Sequence, residues 1–253
     1  MKVKDFDIWI RNILRIDEMV RIDSSLNGLQ VGREEDEIEK IAFTVDASLE
    51  SFTRAIEAKA QMLFVHHGLY WGRVIPITGS FYKRIEMLIK NNLALYTAHL
   101  PLDINEEFGN NAGLAKILGL QDLQPFGDHK GLKIGFKGIL PEPLSRDEII
   151  NTLFGGWDNS IKMLPFGKDE INSVALISGD APFELEQAID ENIDLYLTGE
   201  ASHVLYHRAQ EAAINVLFGG HYATEIYGVK LLADKVSKEL SLDTVFIDIP
   251  TGL

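Results

Sequence analysis

Ile38-Glu-Lys-Ile-Ala-Phe-Thr-Val-Asp46 reads as a buried strand, Leu49 to Lys59 has the spacing of an amphipathic helix, and Gln61-Met-Leu-Phe-Val-His-His67 reads as a second strand. The same order recurs in Ile171-Asn-Ser-Val-Ala-Leu-Ile-Ser-Gly-Asp180, a helix through Glu184 to Asn192, and Asp194-Leu-Tyr-Leu-Thr-Gly-Glu200. A gapless shift of 133 residues lays Ile38 on Ile171 and His67 on Glu200, and brings Ala42, Ala55 and Ile56 onto Ala175, Ala188 and Ile189. A third strand follows in each copy. Leu95-Tyr-Thr-Ala-His99 meets Leu217-Phe-Gly-Gly-His221 at an offset of 122, which also lays Asp103 on Glu225. Helical segments then run from Gly109 to Leu118 and from Tyr227 to Leu240. Strand, helix, strand, helix, strand is the βαβ pattern, so the fold class is α/β, a duplicated βαβ-type unit in two similar lobes with mainly parallel sheets. Between the copies, Gly131 to Ile139 reads as a strand and Leu144 to Leu153 as a helix after Ser145, and the lobe boundary is expected near Pro125.

Composition limits the function classes. Of 253 residues, 46% are apolar and 25% charged, the make-up of a globular protein rather than a disordered one. A net charge of −14 argues against nucleic acid as a partner, because duplex binding draws on a basic face that releases counterions. With no cysteine, disulfides, thiolate nucleophiles and thiolate ligands are excluded, and any metal site must be built from nitrogen and oxygen. No apolar run approaches the length of a membrane span and the N-terminal residues carry no signal-peptide core, so a cytoplasmic chain with no membrane partner is expected.

Ligands of parallel sheets gather at the carboxyl ends of strands. His66, His67, His99 and His221 fall at such ends, and Asp103 and Glu225 each follow a histidine by four residues. Neutral imidazole and ionised carboxylate suit zinc, iron, manganese, nickel or cobalt. So small a set does not close two metal shells, and the open positions would hold the water that a hydrolytic centre activates. His66 and His67 would point to opposite faces of an ideal strand, but Gly68 allows the backbone to turn and both rings to converge. A helix would place His221 and Glu225 on one face, whereas Pro101 favours a loop through His99 to Asp103. His99 is either a ligand or a group that orients one. His129 and His207 read as surface residues, and His203 as a helix cap or a supporting group beside the site. Asn27-Gly28 reads as a hairpin turn. P-loop, dinucleotide and serine-hydrolase motifs are missing.

Six segments together resemble the Nif-three-like family, whose members carry the name GTP cyclohydrolase I type 2: Asn27-Gly-Leu-Gln-Val-Gly32, Phe64-Val-His-His-Gly-Leu-Tyr-Trp71, Tyr96-Thr-Ala-His-Leu-Pro-Leu-Asp103, Leu197-Thr-Gly-Glu200, Gly219-Gly-His-Tyr-Ala-Thr-Glu225 and Phe246-Ile-Asp-Ile-Pro250. The resemblance implies a dinuclear centre of two divalent ions on His66, His67, Asp103, His221 and Glu225, with His99 and Glu200 moving protons. It implies a C-terminal segment returning to the first lobe, hence lobes of residues 1–125 plus 215–253 and of 126–214. It also implies a toroidal homohexamer, a chain too short for the domain inserted in longer relatives, and a small-molecule substrate. The implied reaction is hydrolytic opening of the guanine imidazole ring of GTP with loss of formate. Two alternatives are a non-catalytic metal-binding scaffold or metal-handling protein, and a hydrolase of another nucleotide or phosphate ester. No sequence motif supplies cations for a triphosphate.

Overall fold

A computed structural model describes residues 1–253 and divides them into two compact units, Met1–Leu102 with Val229–Ile249 and Asp103–Gly228 with Pro250–Leu253. The first unit opens with helix α1 (Val3–Leu14), which buries Val3, Phe6, Ile10 and Leu14 along one stripe. Strands β1 (Gly28–Val31), β2 (Lys40–Asp46), β3 (Met62–His67) and β4 (Ala94–Thr97) follow, with α2 (Leu49–Glu57) between β2 and β3 and α3 (Gly79–Lys90) between β3 and β4. Ser48 starts α2 through a reciprocal capping box with Ser51. The short helix α4 (Leu100–Asp103) then runs through Pro101, against the loop expected there. Proline is tolerated because its missing N–H falls in a first turn, where that donor has no helical partner.

The second unit contains α5 (Asn110–Ile117), β5 (Gln121–His129), β6 (Leu132–Leu144), α6 (Arg146–Phe154), β7 (Lys162–Pro165), β8 (Ile171–Leu176), α7 (Leu185–Asp190), β9 (Leu195–Thr198), α8 (Leu205–Ala212) and β10 (Asn215–Phe218). Helix α9 (His221–Leu240) follows, and β11 (Asp243–Phe246) pairs parallel to β2. The C-terminal strand thus returns to the first sheet, whose order is β1-β4-β3-β2-β11.

Strands β2, β3 and β4 are parallel, as are β8, β9 and β10, so each copy of the repeat lays its three strands side by side in the same order. They read as unbroken apolar runs because both faces are covered: Ala42, Phe52, Leu63, Leu95 and Ile247 share one core cluster, while Phe64 stacks on Tyr96 with Phe6 against that ring's edge. In the second unit Leu114, Ile150, Val174, Leu195 and Leu217 share the core. The second sheet, β5-β6-β8-β9-β10-β7, is mixed, since β5, β6 and β7 join it antiparallel.

The division expected at Pro125 and Asn215 differs from the observed one. Strand β5 pairs with β6 and β10 lies between β9 and β7, so residues 103–125 and 215–228 belong with the second unit. A βαβ crossover returns the third strand of a copy to its own sheet, and this neighbour preference decides where β10 goes. Asn27-Gly28 forms no hairpin turn either. Gly28 opens β1, which pairs with β4, and Asn27 is occupied by its side-chain hydrogen bonds.

Candidate metal centre

In the first unit the imidazoles collect at the carboxyl ends of β3 and β4. His66 is fully buried, and its ring centroid lies 4.6 Å from that of His67 and 5.1 Å from that of His99. One ring nitrogen from each of the three can be chosen so that all lie within 4.8 Å of one another, a spacing that could hold a metal ion. Adjacent residues converge here because the strand ends at His67. Gly68 is needed for space: a Cβ there would sit 2.3 Å from the Thr97 hydroxyl and 2.4 Å from the Gln30 amide.

Each ring is oriented through Nδ1. That of His66 lies 3.0 Å from the Ala98 carbonyl, that of His67 lies 2.9 Å from Asp46 Oδ1, and that of His99 lies 2.9 Å from Asp23 Oδ1. Carbonyl and carboxylate oxygens only accept, so each Nδ1 carries the proton and each Nε2 the lone pair, the tautomer a metal ligand needs. Asp46 ends β2 directly opposite His67 in register. Asp23 is buried and accepts from the Ser25 and Leu100 backbone N–H groups and the Asn27 amide as well as from His99. Burial raises its pKa, but the His99 hydrogen bond and charge and the other donors outweigh that, and Asp23 is held below the usual carboxylate range. Asn27 Oδ1 in turn accepts from the His99 backbone N–H at 2.8 Å, fixing that residue from both sides.

In the second unit Gly220, with φ of +88°, turns the chain into α9, whose first residue is His221 and whose second turn brings Glu225 onto the same face. His221 Nδ1 lies 2.6 Å from Glu200 Oε1, and His221 Nε2 lies 3.2 Å from Glu225 Oε2. Burial lowers the His221 pKa, but hydrogen bonds and charges from Glu225 and Glu200 overcome this and raise it to about 9. Asp103 Oδ1 accepts from Ser178 Oγ at 3.0 Å and Asn110 Nδ2 at 2.9 Å, while Asn111 Oδ1 accepts from the Ser178 backbone. Asp103 and Glu225 are buried, with carboxylate oxygens within 4.8 Å of each other. Two ionised carboxylates so placed repel in low dielectric, and a cation relieves that repulsion.

The sequence singles out His66 and His67, which end β3, His99 and Asp103, which follow β4, Glu200, which follows β9, and His221 and Glu225, which lie in the first two turns of α9. It missed Asp23, Asp46 and Asn27. Asp46 stands at a strand end in the repeated unit, which was its signal, and Asn27 opens one of the six resembling segments; Asp23 had none, and both Asp23 and Asn27 reach His99 across 76 and 72 residues of chain. His203 lies just before α8, whose N-cap is Val204; its carbonyl accepts from the Tyr206 N–H in the entering turn, and no side chain caps the helix. His129 is partly exposed beside Glu184, and His207 packs edge-on against Tyr206.

The model of the Duf34/NIF3 (NGG1p interacting factor 3) family matches residues 1–252. The chain belongs to this family. A protein of Archaeoglobus fulgidus called "GTP cyclohydrolase 1 type 2 homolog" is 45% identical over 94% of this chain and 96% of its own. One of the same name from Treponema pallidum is 38% identical over the full length of both. The crystal structure of a Thermus thermophilus protein superposes with a TM-score of 0.90 at 37% identity over all of both chains. Reduced HcgD from Methanocaldococcus jannaschii does so at 0.85 and 28% identity over 98% of each. No helix is long and apolar enough to cross a membrane.

Proposed function

We propose that the chain is a dinuclear metal-dependent hydrolase that opens the guanine imidazole ring of GTP and releases formate. In this reading His66, His67, Asp103, His221 and Glu225 hold two divalent ions. The observation that carries it is the dressing of the histidines: His66, His67 and His99 each have Nδ1 against an oxygen acceptor, which leaves the lone pair on Nε2, and His221 has Nδ1 on Glu200 and Nε2 facing Glu225, where a cation would replace its proton. A core that needed imidazole merely for packing would not supply each ring with its own oxygen partner. The close carboxylates Asp103 and Glu225 add negative charge that a cation offsets. The relatives named GTP cyclohydrolase 1 type 2 homolog support the substrate.

Bound ions would lower the pKa of water and so supply the nucleophile near neutral pH. The chain's own residues do the rest. Asp46, Asp23, the Ala98 carbonyl and Glu200 fix ring orientation. His99, whose Nδ1–H is anchored on the ionised Asp23, can take a proton at Nε2 and return it to a leaving nitrogen. Glu200, half-exposed and accepting from His221, can receive a proton released as water adds to the ring. One water adds at C8 and opens the ring, and a second releases formate. The ring-shaped homohexamer of the resemblance belongs to the same reading, with light scattering as its check.

Full-length protein reconstituted with iron, manganese or zinc is expected to consume GTP and yield formate. About two ions per chain should be found by elemental analysis, with loss of metal in His66→Ala and Glu225→Ala. Protein that binds metal yet is inert toward GTP with all three ions overturns the proposal.

A further inference from the structure

The chain after the histidine pair differs from the rest of the molecule in charge. Residues 68–85 carry Arg73, Lys83 and Arg84 and no acid, in a chain with a net charge of −14. None of the three enters an ion pair. The segment is also exposed: Arg73 and Lys83 face solvent, and Val74 is 100% accessible.

Its root is fixed against the imidazoles. Trp71 donates its indole N–H to the Gly68 carbonyl at 3.1 Å, which sets the plane of the ring. That ring lies 4.9 Å from His99 at an interplanar angle of 79° and 5.9 Å from His67, and it stays partly exposed. Tyr70 beside it is tied down by Phe81 and by a hydrogen bond from the Leu26 N–H to its carbonyl. A rigid, accessible aromatic ring within contact of candidate ligands, followed by unpaired cations, matches what a planar heterocycle bearing phosphates requires.

We propose that this segment is the substrate-recognition arm for a nucleoside polyphosphate: Trp71 stacks on the base, and Arg73, Lys83 and Arg84 hold the phosphates. The assignment rests on the nucleotide reading above and supplies the cations that no sequence motif offered. Trp71 is a specificity-determining residue here, since its ring would touch the base.

The test is equilibrium binding of GTP, guanosine and inorganic tripolyphosphate to the metal-loaded full chain, by calorimetry. Trp71→Ala should weaken GTP and guanosine binding alike, by roughly 10- to 100-fold for one lost stack, and leave tripolyphosphate unchanged. Trp71→Phe, which keeps an aromatic face, should retain most of the affinity. The triple variant Arg73→Ala/Lys83→Ala/Arg84→Ala, on accessible positions, should weaken GTP and tripolyphosphate, flatten the salt dependence, and spare guanosine. Unchanged GTP affinity in Trp71→Ala, or unchanged tripolyphosphate affinity in the triple variant, overturns the arm even if GTP is turned over. This binding pattern in a protein that yields no formate leaves the arm standing and removes the proposed reaction.

Discussion

Gly179 offers the sharpest test of how tightly the second unit's ligands are built. Its φ is +68°, and a Cβ placed there would lie 2.3 Å from Glu225 Oε1 and 3.2 Å from His221 Nε2. The backbone cannot step aside. The Gly179 N–H donates to Thr224 Oγ1 at 3.1 Å, and its carbonyl accepts from the Gly199 N–H at 2.8 Å, the Glu200 N–H at 3.1 Å and Thr198 Oγ1 at 3.1 Å. Glu225 is 3% exposed, so the added Cβ meets a buried carboxylate. Gly179→Ala therefore carries about 1–2 kcal/mol for a non-glycine residue in the left-handed region and about 1–3 kcal/mol for overpacking. Their sum, about 2–5 kcal/mol, is read as a fall in urea unfolding free energy. Gly131→Ala isolates the first contribution, since φ is +83° there and nothing lies within 4 Å of the added Cβ. The difference between the two variants is the cost of crowding Glu225 and His221. Elemental analysis should also show metal lost from Gly179→Ala and kept in Gly131→Ala. Equal destabilisation of the two with equal metal content refutes the reasoning.

Asp23→Asn removes the charge against which His99 is held, in a buried position with four donors; urea unfolding should show a loss of about 2–4 kcal/mol, and a loss below about 0.5 would mean that His99 is oriented by Asn27. Asp194 accepts from the Asn172 and Ser173 backbone N–H groups and from Lys168; burial opposes ionisation, but these partners prevail and its pKa is lowered from 3.8. A depressed carboxyl stabilises above its unfolded pKa, so Asp194→Asn should cost about 1–3 kcal/mol at pH 7. That gap should close in unfolding curves taken as the pH falls below about 3.8. His221, raised from 6.5 to about 9 in the absence of metal, contributes stability that is full below 6.5 and lost as pH climbs through 9. Zinc must displace that proton, so calorimetry of zinc binding at pH 7 in buffers of different ionisation heat should show proton release from His221, and none would place the metal elsewhere.

Much of this architecture could be read from the chain because burial on both faces writes parallel strands as unbroken apolar runs. The three strands of each copy appeared for that reason, and so did the residues at their ends. What could not be read was pairing at a distance. The repeat makes β10 the third strand of the second copy, and its hydrogen bonds to β9 and β7 agree, but the point from which the chain returns to the first unit, Val229 rather than residue 215, carries no mark in the sequence. Asp23 and Asn27 sit in an irregular segment whose only link to His99 is three-dimensional. Pro101 misled for a local reason, since its effect depends on whether it falls in the first turn or later, and the sequence does not mark where α4 starts.

Duplication explains why the two half-sites use different residues for equivalent work. His99 and His221 occupy matching strand-end positions, and each has Nδ1 fixed by a carboxylate, Asp23 in one copy and Glu200 in the other. The orienting carboxylates are not themselves equivalent: Glu200 aligns with His67, whereas Asp23 precedes the repeat altogether. The same shift of 133 residues lays Asp46 on Gly179. In the first copy that position carries the acid that orients His67; in the second it must have no side chain, because Glu225 fills the space. A shared backbone thus supplies the same strand ends twice, and divergence at 46/179 and 67/200 decides whether each end presents an imidazole, orients one, or makes room for a carboxylate. Restoring the first copy's residue with Gly179→Asp should therefore fail more severely than Gly179→Ala. It adds a third carboxylate to a pocket already holding Glu225 and Asp103, and the measured outcome should be loss of soluble or metal-binding protein at pH 7. A folded, metal-loaded Gly179→Asp protein would show that the two copies are more interchangeable than their side chains imply.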